Sequence, residues 1–196
     1  MLIGLDFDNT IVSYEGVFTR WAREQGLPEQ VAQSGKTAIR DWLRKQGRED
    51  LWTILQGEVY GSRMGDAVEA AGVDMFLSKA GQAGHRVVVV SHRTQKPYLG
   101  PPVDLHAAAR KWWEHRPIAK AVEQIYFETS AEEKAERIRI LGCDAFVDDL
   151  WEFLERPDLP HGIRRIWYGG GGSEVVKVGL ERAASWQEVA GLLLPP

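Results

Sequence analysis

Leu2-Ile3-Gly4-Leu5-Asp6-Phe7-Asp8-Asn9-Thr10 opens with a short apolar run and ends in two carboxylates two residues apart. In extended geometry Asp6 and Asp8 point to the same side of the chain. The plainer reading is a turn, since Asp, Asn and Thr are common where a strand stops. What surrounds the stretch decides between the two. Similar short apolar runs recur at 86–90, with four consecutive valines, and at 124–127, 145–147 and 163–168. A run such as Val87-Val88-Val89-Val90 has the composition of a strand buried on both faces. Helical patterns fit between the runs. One follows Gly100-Pro101-Pro102 over 104–113, one opens at Ser130 with Glu133 as a capping box and runs to about 141, and one opens at Ser185 with Glu188 and ends at Pro195. Strand and helix in alternation predict a parallel sheet covered on both faces.

The stretch 12–65 interrupts that alternation. It reads as two or three short amphipathic helices with Trp21, Ile39, Trp42, Leu43, Leu51, Trp52 and Leu55 on their apolar faces. It is therefore expected to be a small helical insertion, followed by a core helix over 66–83. Residues 56–63, with Gly57 and Gly61, are expected to break the helical period. The glycine run at 169–172 reads as a flexible loop, and it lacks the G-K-[ST] ending of a phosphate loop. Trp112-Trp113 sits on a helix and reads as core packing.

Composition narrows the function classes. With 196 residues, 44% hydrophobic and 27% charged, the chain suits one globular domain with room for an insertion. A single cysteine, Cys143, excludes an internal disulfide framework and a cysteine-based zinc cluster. The net charge of −4 argues against a broad nucleic-acid surface. No apolar run approaches the ~20 residues needed to span a bilayer, and Met1 leads straight into a strand pattern with no signal-peptide layout. The expectation is a soluble, cytoplasmic protein with no nucleic-acid or membrane partner and an open oligomeric state.

Three of the apolar runs end in reactive side chains: Asp6 and Asp8, Ser91 and His92, Asp148 and Asp149. In an open parallel sheet ligands bind at the carboxyl ends of the strands, so these groups are expected to meet. Their order resembles the haloacid dehalogenase superfamily. Its first motif is the D-x-D-x-T of Asp6 to Thr10, and its second an apolar strand ending in Ser or Thr, here Ser91. Its third is a helical Lys upstream of the last motif, here Lys134. Its fourth is an acidic pair closing another strand, Asp148-Asp149. The resemblance covers residues 1 to about 168. It implies an α/β, Rossmann-like three-layer sandwich with a parallel sheet and a small helical cap. The core would be 1–11 and 66–196, the cap 12–65.

The resemblance also implies a chemistry. Asp6 would attack a phosphomonoester to form an aspartyl phosphate, and Asp8 would serve as general acid and then general base. Asp8 separates phosphoryl chemistry from halide displacement, because a departing halide needs no proton. Ser91 and Lys134 would hold the phosphoryl oxygens. Magnesium would be held by Asp6, Asp148 or Asp149 and the main-chain carbonyl of Asp8, an oxygen-only set. Rival readings stay open for single residues: Ser91 as a cap, and Lys134 in a surface network with Glu132, Glu133 and Glu136. Asn9, His92, Arg93 and Arg63 are candidate substrate contacts. The expected substrate is a small phosphorylated metabolite, a sugar phosphate ahead of a nucleoside monophosphate. The alternatives are a phosphomutase using the same residues and a catalytically idle binding module of the same fold.

Overall fold

In the computed structural model, residues 1–169 and 179–194 are described. Strands are β1 (Leu2–Leu5), β2 (Val12–Ser13), β3 (Val68–Glu69), β4 (Arg86–His92), β5 (Gln124–Glu128), β6 (Ala145–Asp148), β7 (Arg164–Tyr168) and β8 (Leu180–Ala183). Helices are α1 (Glu15–Glu24), α2 (Glu29–Gln33), α3 (Gly35–Lys45), α4 (Glu49–Tyr60), α5 (Val73–Gln82), α6 (Leu105–Glu114), α7 (Ala131–Leu141), α8 (Trp151–Leu154) and α9 (Trp186–Leu193). The chain forms two compact units, one of Met1–Val12, Glu69–Arg93 and Arg116–Pro196, the other of Ser13–Val68 and Thr94–His115.

The first unit holds a six-stranded parallel sheet in the order β5-β4-β1-β6-β7-β8. The order runs outward in both directions from β1, so the chain reverses its winding between β1 and β6. That is the switch point where an open α/β sheet leaves a crevice beyond its strand ends. β1 is buried along its whole length and β4 at every position but its ends. Leu2, Val88, Val90 and Phe146 lie in one core cluster with Ala135 and Ile138 of α7 and Phe153 and Leu154 of α8. Alternation sends Ile3, Leu5, Val87 and Val89 to the other face. There α5 packs on β4 and on α9, with the Phe76 ring 4.8 Å from that of Trp186. This is the expected three-layer α/β architecture. Gly4 is required for packing: a Cβ there would lie 2.5 Å from Cδ2 of the buried Phe146 ring.

Both capping boxes form, with one shift. Ser130 Oγ accepts from Glu133 N–H and Ser185 Oγ from Glu188 N–H. The returning glutamate bonds reach one residue further back than the cap, to the N–H groups of Thr129 and Ala184. The expected helix over 66–83 is shorter. It starts at Val73 after Gly72, whose φ of 86° breaks the helical path, and 66–72 instead holds part of a 3-10 turn and β3. The strand β8 was not expected. Residues 170–172 of the expected loop, and Pro195 as the final helix stop, lie outside the described residues.

The second unit is helical. Trp21, Ile39, Leu43, Trp52 and Leu55 are buried in it, while Trp42 and Leu51 are half-buried. Phe18 stacks on Trp52 (5.9 Å between centroids) and Tyr14 meets Tyr60 edge-on (4.9 Å). Two expectations differ here. The helix does not break at Gly57, because α4 continues to Tyr60; the glycine serves close packing, since a Cβ would sit 2.7 Å from Pro97. Residues 94–115, expected in the core, group with the helices instead. The reason is visible in α6: Trp112 Nε1–H donates to the Ala67 carbonyl (2.9 Å), and both tryptophans of the pair are buried. Among the described residues, no helix is long and apolar enough to cross a membrane.

Candidate active site

The loop after β1 turns sharply within four residues. Asp6 N–H donates to the Val147 carbonyl (2.9 Å), which carries the β1–β6 pairing one residue beyond the strand. The Phe7 carbonyl then accepts from both Ile11 and Val12 (3.1 and 3.0 Å). This turn places Asn9 at φ 58°, a left-handed conformation that asparagine tolerates better than most residues. Asn9, a candidate substrate contact, thus has a backbone reason for its identity.

Four candidate residues meet at the carboxyl ends of β1 and β6. Lys134 Nζ donates to Asp6 Oδ1 and to Asp148 Oδ2, both at 2.6 Å. The lysine side chain is only 3% exposed, so it is directed inward and not to the neighbouring glutamates of α7. Its ammonium lies 4.2 Å from the Phe153 ring centroid and 5.3 Å from that of Phe146, an aromatic support that sequence reasoning missed. Asp148 also accepts from Leu150 N–H through Oδ1 (2.9 Å). Asp149 is half-buried beside it.

Electrostatics follow from burial. Loss of solvent pushes the Asp6 carboxyl up to about 7; the Lys134 ammonium opposes this, and the carboxylates of Asp148 and Asp8 add to the rise. For Lys134 burial works against the charge, but Asp148 and then Asp6 outweigh it and hold the ammonium above the ordinary lysine range. The lysine is therefore a fixed cation within an acidic cluster.

Beside this cluster Arg93 Nη2 pairs with Asp8 Oδ1 at 3.1 Å. Arg93 was a candidate for contacting substrate; its guanidinium instead faces a catalytic candidate of its own chain. Strand alternation puts Arg93, two residues beyond Ser91, on the same side as Ser91 but does not name its partner. Ser91 is buried on β4, two residues past the partner of Leu5, and its hydroxyl has no hydrogen-bond partner among the described residues. The buried Thr10 hydroxyl is likewise without one. A buried hydroxyl left unsatisfied is costly, and at a strand end it suits a ligand oxygen. His92 is exposed at the end of β4. Arg63 belongs to the helical unit, where Glu24 (2.5 Å) and Glu58 (3.6 Å) hold it.

The acidic groups fit a hard divalent cation. Asp6, Asp148 and Asp149 each offer a carboxylate oxygen within 4.8 Å of the others. Three carboxylates beside one ammonium leave an excess of negative charge, and an oxygen-only donor set suits such a cation.

No protein-family model matches the chain, and no curated protein matches it. Solved structures do. The chain is similar to Protein Tyrosine Kinase A of Mycobacterium tuberculosis, at 17% identity over 99% of this chain and 98% of that one, with a TM-score of 0.67. It is similar to a HAD phosphatase from Thermococcus onnurineus at 12% identity, over 98% and 97% of the two chains (TM-score 0.56). A HAD-superfamily hydrolase from Ehrlichia chaffeensis gives 12% identity, 97% and 94% coverage, and a TM-score of 0.57. At these identities the likeness speaks to architecture. The likeness is one of fold: this chain shares its architecture with solved structures named as HAD-superfamily hydrolases and phosphatases.

Proposed function

We propose that this protein is a magnesium-dependent phosphomonoester hydrolase that works through an aspartyl phosphate on Asp6. The observation carrying this reading is the buried contact of Lys134 with Asp6 and Asp148 at the switch point of the sheet. A carboxylate attacks an anionic phosphoryl group only where positive charge is fixed nearby, and Lys134 supplies it. An Asp6 oxygen forms the new bond to phosphorus as the ester P–O bond breaks. Asp8 gives its proton to the departing alkoxide. In the second half Asp8 takes a proton from water, whose oxygen attacks phosphorus and releases inorganic phosphate and the Asp6 carboxylate. Ser91 donates to a phosphoryl oxygen, a role supported by its buried hydroxyl having no hydrogen-bond partner among the described residues. Magnesium, held by Asp6, Asp148 or Asp149 and the Asp8 carbonyl, would neutralise phosphoryl charge and orient the ester.

The substrate is a small phosphorylated metabolite, a sugar phosphate ahead of a nucleoside monophosphate. The resemblance supports this choice, because the compact helical insertions it implies suit small leaving groups. The test is release of phosphate from p-nitrophenyl phosphate with magnesium and with chelator, by wild type and Asp6→Asn. We expect metal-dependent turnover that falls by roughly three orders of magnitude or more in the variant while circular dichroism is unchanged. Full activity in Asp6→Asn would remove the nucleophile from the scheme.

A further inference from the structure

We infer that Arg93 is a positioning residue for Asp8, holding its carboxylate at the angle from which it passes a proton to and from the ester oxygen. The inference rests on the hydrolase reading above and adds a part to it. Asp8 needs such a tether. Its side chain is 20% exposed, whereas that of Arg93 is 3% exposed. A short carboxylate at the rim of a site turns readily toward solvent, and a general acid works only within hydrogen-bond reach of the atom it serves.

Arg93 is itself held at two points besides Asp8. Its N–H donates to the Glu128 carbonyl (2.8 Å), extending the β4–β5 ladder past the His92–Glu128 pair. Its guanidinium lies 5.7 Å from the centroid of the Phe7 ring. That ring is buried and set edge-on against Phe127, at 5.2 Å and 82°. Phe7 stands between Asp6 and Asp8 in the chain, so Arg93 packs on one residue of the turn and pairs with the next. A planar guanidinium can lie against the one and present a fixed fork of donors to the other. Arginine also keeps its charge at every working pH, so it steadies the carboxylate without competing for the proton.

The test uses the full chain with magnesium and a series of phenyl phosphates from p-nitrophenyl to unsubstituted phenyl. A departing p-nitrophenolate needs little protonation, whereas phenolate needs more. For Arg93→Gln we expect kcat/KM to fall a few-fold on p-nitrophenyl phosphate and about a hundredfold on phenyl phosphate. Inhibition by inorganic phosphate should be unchanged, Arg93→Lys should recover part of the loss, and Arg93→Gln should cost nothing further in an Asp8→Asn background. Thermal unfolding of each variant checks that it is folded, and Arg93→Lys carries the same leaving-group test if Arg93→Gln is not. A uniform loss across the series, weakened phosphate inhibition, or a loss that multiplies with that of Asp8→Asn would overturn the inference and leave the hydrolase reading standing. A wild type inactive on every ester would overturn the hydrolase reading, and this inference with it.

Discussion

Both units are rich in ion pairs, but they place them differently. In the helical unit Arg23 pairs with Glu29, Arg40 with Asp41 and Arg44 with Glu49, all with side chains more than a third exposed. At the sheet edge Lys134, Asp6 and Asp148 are buried to within a few per cent, and Arg93 reaches Asp8 from an equally closed position. Exposed pairs are screened and contribute little to folding. Buried charges lose their hydration, and the pairing seldom returns more than that loss. The first unit therefore keeps an arrangement that a stability criterion alone would not select. Such an arrangement is expected where charge does chemical work.

The contrast can be broken at several points. The largest effect is expected from Lys134→Met. It leaves Asp6 and Asp148 facing each other without their shared cation, and should cost roughly 3–5 kcal/mol in urea unfolding measured in chelator. A cost near zero would mean that the cluster is solvated. Cys143 supplies a smaller effect, since it is an ionisable group buried beside a negative charge and not a positive one. Burial, followed by the Asp144 charge, pushes its thiol up to about 11. Below about pH 9 folded and unfolded states both hold the proton. Between about 9 and 11 only the unfolded thiol ionises, so stability falls as pH rises, by on the order of 1–2 kcal/mol. That fall should be shallower in Cys143→Ala, and native Cys143 should resist iodoacetamide at pH 8 until urea is added. The smallest effect belongs to the helical unit. Arg44→Gln should leave the unfolding midpoint where it is, and a clear drop would show that its surface pairs matter more than their exposure implies.

The comparison also explains what could be read from sequence. The sheet was legible because buried parallel strands are uniformly apolar and end in polar residues, as at Leu5-Asp6 and Val147-Asp148. The meeting of Asp6, Asp148 and Lys134 was legible too, since they come from three separated segments whose order carries the resemblance and whose strands end side by side. Arg93 was noticed, but as a contact for substrate. Its partner depends on the side-chain packing of Phe7 and Phe127, which strand periodicity does not report. The aromatic support of Lys134 was missed likewise, because Phe146 and Phe153 belong to β6 and α8 and look like ordinary core. Residues 94–115 were misplaced because α6 is amphipathic, and its pattern states that it buries one face but not against which neighbour. β8 was overlooked because Leu180-Glu181-Arg182-Ala183 carries two charged residues, as an edge strand often does.

One consequence of the helical unit's two-segment make-up concerns how such a protein can be altered. Gly57 lies against Pro97, Gly61 close to Val103 and Leu105, and the Ala67 carbonyl receives the Trp112 indole. Residues 13–68 are thus not a self-sufficient cassette. A chimera that exchanged only this stretch for the equivalent piece of another protein would import helices shaped for a floor left behind, and would strand Leu105 and Trp112 in water. Recombination, in the laboratory or in evolution, has to move 13–68 and 94–115 together. That requires four junctions in place of two, and Arg93 stands at the edge of one of them.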